Sequence, residues 1–148
     1  VFAVFFVLFP LPYTEEEPPE ILKIVSISHY NDKKELTYAG VITLKNIAYE
    51  PLENREYGIW LSVNGKRQNV RIETLNSRDF IETHHYGVRL IKGAGPQGDF
   101  WESGYRGVID IIDLLIHPGD LVSVEVYRLD TEEVVSYSEF TAPSVFVQ

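Results

Sequence analysis

Adjacent histidines in "THHYG", His84 and His85, are the residues of this 148-residue chain best suited to general-base or zinc chemistry. On a strand they point to opposite faces and do not readily share one metal. His29 and His117 are distant in sequence, and no His/Asp/Glu spacing matches a zinc motif. Asp110, Asp113, Asp120 and Glu125 form an acidic region. Calcium takes such oxygens, but no D-x-[DN]-x-[DN]-G loop accompanies them. "GAGPQG" (93–98) matches G-x-G-x-x-G letter for letter. A dinucleotide loop needs a strand before it and a helix N-terminus after it. Here Pro96 removes one amide donor and "DFWESGYRG" follows, so the segment reads as a glycine-rich connector. No G-x-S-x-G elbow is present. The chain has no cysteine, which excludes disulfides and thiolate chemistry. These residues predict no catalytic group, no cofactor and no bound metal: the chain is not expected to be an enzyme.

Phe100 and Trp101 stand within that glycine-rich stretch, which holds Gly93, Gly95, Gly98, Gly104 and Gly107. Together with the nine tyrosines of the chain they suggest a sugar-binding or interface surface. Trp101 is expected at a surface contact. Trp60, inside "IWLSV", is expected in the core.

The elements that must carry these residues read as β almost throughout. "ILKIVSISHY" (21–30) is rich in β-branched residues but alternates only loosely, with Leu22 and Ile24 on one side and Lys23, Val25 and Ile27 on the other. In "ELTYAGVITLKN" (35–46), Gly40 marks a bulge or a close approach. Asn64-Gly65, between "IWLSV" and "KRQNVRI", predicts a hairpin with a type I′ turn. A strand is expected near 86–91. "GVIDIIDLLI" (107–116) fits either a short helix or a strand leading into a turn. "HPGD" (117–120) is a turn. "LVSVEVYRL" (121–129) alternates as a half-buried strand, with "VVSYSEFTA" (134–142) as its hairpin partner. About seven short strands separated by turn chemistry predict an all-β sandwich, Ig-like or of a related Greek-key order.

Residues 1–12, "VFAVFFVLFPLP", are expected to form an apolar arm, residues 13–20 an acidic, proline-containing spacer, and residues 21–148 the sandwich. Val1, Phe2, Val4, Phe5, Phe6, Val7, Leu8 and Phe9 cannot stay in water together without an aggregation hazard. Nine residues of helix rise only about 13–14 Å, well short of a bilayer core of roughly 30 Å. Three readings stay open: burial against a neighbouring subunit, membrane contact through residues 1–9, and a strand of the domain's own core. The absence of methionine in a chain beginning with Val reads as a processed product or a fragment. A net charge of −9 with scattered basic residues disfavours nucleic acid as a partner.

From about residue 40 to residue 142, "GVITLKN", "LSVNGK", "TLNSRDFIETHHYGVRLIKGAGPQGDFWESG", "IDIIDLLIHPGDLVSVEVY" and "VVSYSEFTA" occur in that order. Together they resemble the secreted β-domain of archaeal type IV pilin-like proteins of methanogens. The resemblance implies an extracellular β-domain behind an apolar N-terminal helix, in proteins of filaments or the cell surface. It implies no cofactor and no catalytic residue. At the front the chain departs from the pattern, with a Phe-rich stretch ending in "PLP" where such proteins carry a helix of pilin length. The expectation is a self-assembling subunit of an extracellular filament or sheath, its partner being itself. The alternative is a membrane-tethered surface domain that binds a ligand through the Gly-rich aromatic loop.

Overall fold

The structure is a computed structural model that describes residues 17–30, 33–79 and 87–144. It is an all-β sandwich, as the strand pattern predicts. One sheet is ordered β1(Leu22–Tyr30), β2(Leu36–Asn46), β8(Arg106–Ile111), β6(Val88–Lys92). The facing sheet is ordered β10(Val134–Thr141), β9(Leu121–Arg128), β4(Tyr57–Val63), β5(Lys66–Ile72). A short ribbon, β3(Leu52–Glu53) with β7(Phe100–Trp101), and one helical turn, α1(Ala94–Gln97), are added at one end.

The core lies between the two sheets. Ile24, Ile42, Leu44, Ile109 and Ile111 of the first sheet meet Ile59, Leu61, Ile72, Val122, Val124 and Val126 of the second. These are mostly β-branched side chains at alternate positions, which fit a pleated, buried face. The Asn64-Gly65 hairpin is formed, with φ of 53° and 83° at the two residues and Val63 opposite Lys66. "GVIDIIDLLI" resolves as strand β8 followed by a turn, so the short-helix alternative falls away.

The loose alternation of "ILKIVSISHY" has a structural cause. The β1–β2 register shifts between Ile24 and Ser26. Leu22 and Ile24 face inward before the shift, and Ile27 and His29 after it, so the inward phase changes by one residue. Lys23 and Ile27 therefore do not share a face, contrary to the alternation read from the sequence. In β2, the positive φ of 55° falls at Tyr38, while Gly40 makes the close approach. A Cβ at Gly40 would lie 2.5 Å from Ile116 Cδ1.

One pair of sheet edges is seamed by side chains. β1 and β10 run side by side in the same direction, and serine hydroxyls of β10 meet the amides of β1 and of Ile21 just before it. Ser136 Oγ accepts from the amides of Ile21 (2.9 Å) and Leu22 (3.1 Å), and Ser138 Oγ accepts from Ile24 (2.9 Å). The Tyr137 amide donates to the Pro19 carbonyl at 2.9 Å, and the Ser138 hydroxyl donates to Glu20 at 2.6 Å. Edge amides that would otherwise be buried and unpaired are thereby satisfied.

Candidate functional surface at the loop-rich end

The end of the sandwich where β1 begins also carries the long connections 47–56, 73–79 and 93–105. Their frame is built around Trp101. Its indole is 1% exposed and its Nε1 donates to the Tyr105 carbonyl at 2.8 Å. Gly95 and Gly107 lie against the ring: a Cβ at Gly107 would sit 2.5 Å from it, and one at Gly95 would run into it. The surface role expected for Trp101 is thus corrected. Strand alternation turns Trp101 inward and Phe100 outward, and Phe100 is 48% exposed. Trp60 departs from its core assignment in the opposite sense. It is half-buried on the outer face of its sheet, stacked on Tyr127 at 4.1 Å between ring centroids, with the Arg67 guanidinium 4.0 Å over it.

Asn54 locks the glycine-rich segment from below. It is fully buried, and its Nδ2 donates to the carbonyls of Gly95 (2.9 Å) and Gly98 (2.7 Å). The segment therefore aims backbone carbonyls inward at an amide, the opposite of a phosphate cradle. Asn46, also fully buried, donates to the Trp101 carbonyl at 2.9 Å and ties in the 46–50 turn. Neither asparagine stood out in the sequence. The available signal was their position at strand ends, where Asn side chains stand in for backbone partners.

Two of the grooves among the described residues open from this frame. One, of about 720 Å³, is lined by Arg78, Gln97, Asp99, Phe100, Glu102 and Tyr105. Arg78 and Asp99 approach only to 3.9 Å and both side chains are well exposed, so the pair screens in water; Asp99 Oδ1 also accepts from Asn76 Nδ2 at 3.5 Å. The other groove, of about 440 Å³, is lined by Ile21, Ala48, Tyr49, Pro51, Leu52 and Tyr57. Ile21 in its wall is the residue just before β1, where the spacer joins the domain.

The acidic residues do not converge. Glu125 pairs with Arg67 at 2.9 Å, Asp113 with Arg89 at 3.2 Å, and Asp120 accepts from the His117 amide at 2.9 Å. Among the described residues no group of three His, Cys, Asp or Glu is placed to hold a metal. His29 is buried and its Nε2 meets the Pro143 carbonyl at 3.1 Å, which gives it a structural setting. His84, His85 and the arm residues Val1–Phe9 lie outside the described residues. Among the described residues no helix is long and apolar enough to cross a membrane.

No protein-family model and no curated protein matches the chain. Among solved structures it is similar to the archaellum periplasmic stator protein complex of FlaF and FlaG from Sulfolobus acidocaldarius. That match has 9% identity over 89% of this chain and 99% of that one, at a TM-score of 0.48. It is also similar to the archaellum periplasmic stator protein FlaG of the same organism, with 8% identity over 81% of this chain and 96% of that one, at a TM-score of 0.43. At such identities and scores neither likeness says what this chain does.

Proposed function

We infer that this chain is a structural subunit of an extracellular filament or sheath, assembled head to tail through its apolar N-terminal arm. One observation carries the reading. Pro19, Glu20 and Ile21 are anchored at one end of the sandwich, where Ile47, Tyr49, Phe100, Tyr105 and Leu129 are exposed, and further exposed apolar side chains stand at the opposite end. Those are Leu36, Ile112 and Leu114, the last 63% exposed. Leu114 is held at φ 70°, and its amide donates at 2.9 Å to the carbonyl of Tyr38, itself at φ 55°. Two non-glycine residues in the left-handed region cost about 1–2 kcal/mol each. Strain of that kind supports a functional role for the turn that carries it.

An arm on one end and an apolar acceptor on the other form a heterologous contact, which propagates into an open polymer if it does not close into a ring. Burying nine apolar side chains of the arm is worth on the order of 15–25 kcal/mol before ordering costs. The test compares the full chain, a version without residues 1–12, and Leu114→Glu, by negative-stain microscopy and sizing without detergent. Regular fibres from the full chain alone, with both variants folded and monomeric, are expected. Monomers in all three, with only the full chain partitioning into vesicles, would make the arm a membrane anchor and overturn the reading.

A further inference from the structure

The 720 Å³ groove beside the Trp101 frame lies at the end of the sandwich where the spacer is anchored, and it combines exposed rings with polar heads. Phe100 and Tyr105 are 48% and 47% exposed, yet both belong to a fixed backbone. Phe100 pairs with Glu53 in the β3–β7 ribbon, and the Tyr105 carbonyl accepts from both Trp101 Nε1 and the Asn46 amide. Around these rings stand an amide (Gln97), two carboxylates (Asp99, Glu102) and a guanidinium (Arg78). The Arg78 backbone is set in turn by Asn76, whose Oδ1 accepts its amide at 2.9 Å.

We propose that this groove binds a neutral oligosaccharide. Sugar rings present apolar C–H faces that pack on aromatic rings, and hydroxyls that exchange hydrogen bonds with planar polar groups. A site that offers two exposed rings among acceptor and donor heads meets both demands. Against a protein partner stand the two carboxylates, a residue type depleted at interface centres. A phosphorylated or acidic ligand is disfavoured by two carboxylates against one guanidinium. The braced backbone means that little ordering is required on binding.

The test screens the full chain against immobilised neutral hexose and N-acetylhexosamine oligomers alongside uronate oligomers, then titrates the best binder by calorimetry. Saturable binding of a neutral oligomer at a Kd of about 1 mM or tighter is expected. Phe100→Ala and Tyr105→Ala should each weaken it at least about tenfold, with unfolding midpoints near wild type because both side chains are exposed. No binding, binding of uronates alone, or binding unchanged in both variants would overturn the proposal. Fibre formation by the same variants is read separately, so a failed sugar site and a failed assembly reading are distinguishable.

Discussion

Ser136 Oγ takes hydrogen bonds from two consecutive amides, and that of Leu22, at 3.1 Å, is fully buried. The contact spans the gap between two sheets that share no backbone ladder at this edge. Ser136→Ala leaves both amides without their acceptor. It should destabilise the domain by about 1–3 kcal/mol, the cost of unsatisfied buried donors. Urea unfolding measures this, with Ser103→Ala, in the exposed 102–105 turn, shifting by no more than about 0.5 kcal/mol as the comparison. Equal effects would mean that the seam contributes nothing.

Neighbouring residues Phe100 and Trp101 should behave as opposites. Trp101→Ala empties the centre of the loop-rich end and should cost about 3–5 kcal/mol. Phe100→Ala should remain within about 0.5 kcal/mol. Thermal unfolding of the two variants side by side checks the inversion of their expected roles.

Glycines of the same segment divide in the same way. Gly107→Ala places a Cβ 2.5 Å from Trp101 and 2.7 Å from Pro96 Cδ, so the packing must shift, at about 1–3 kcal/mol. Gly104→Ala meets nothing within 4 Å and carries only the cost of its φ of 82°, about 1–2 kcal/mol. Chemical denaturation of both, with the Gly104 variant also introduced into a Trp101→Phe background, separates packing from backbone strain. The Gly104 cost should be unchanged there.

Asp120 contributes an acid sensitivity to the domain. Partial burial pushes its carboxyl up, but hydrogen bonds from the His117 amide and Asn64 Nδ2 outweigh burial and hold it below the usual carboxylate value of 3.8. A depressed folded-state pKa contributes stability that is complete above the unfolded value and is lost as pH falls through the folded one. Asp120→Asn should therefore be less stable than wild type at pH 6–7, with the difference shrinking below about pH 4. Unfolding midpoints across pH 2–7 measure it. A gap that widens in acid would contradict this role.

Leu114 should trade stability against assembly. Asparagine adopts the left-handed region more readily, so Leu114→Asn should leave the monomer as stable as wild type or up to about 1 kcal/mol more stable. The same change removes an exposed apolar group and should abolish fibres. A stable variant that still polymerises would remove Leu114 from the contact.

Much of the sandwich is legible in the sequence because its signals are local. Asn64-Gly65 demands positive φ twice, and "LVSVEVYRL" alternates without interruption. Where a non-local event intervenes, the reading slips. The register shift after Ile24 changes the inward phase of β1, and no property of Ser26 by itself announces it. The two tryptophans exchanged places for a related reason. Trp101 looked exposed because glycines surround it, but Gly95 and Gly107 are there to let the indole in. Trp60 looked buried because its strand is apolar, but the outer face of that strand offers Arg67 and Tyr127 as cover. Asn46 and Asn54 were invisible because their partners lie 55 residues away at Trp101 and 41 at Gly95.

The parallel course of β1 and β10 has a mechanical meaning. Pro19 and Glu20 precede β1 at the end where both strands start, and Ser144 follows β10 at the other end. Tension applied between these two points pulls the strands along their length in opposite senses. The serine bonds to Ile21, Leu22 and Ile24, the Pro19 carbonyl contact and the seven paired positions of β1 with β2 then resist in shear and yield together, whereas an unzipping geometry would release them one by one.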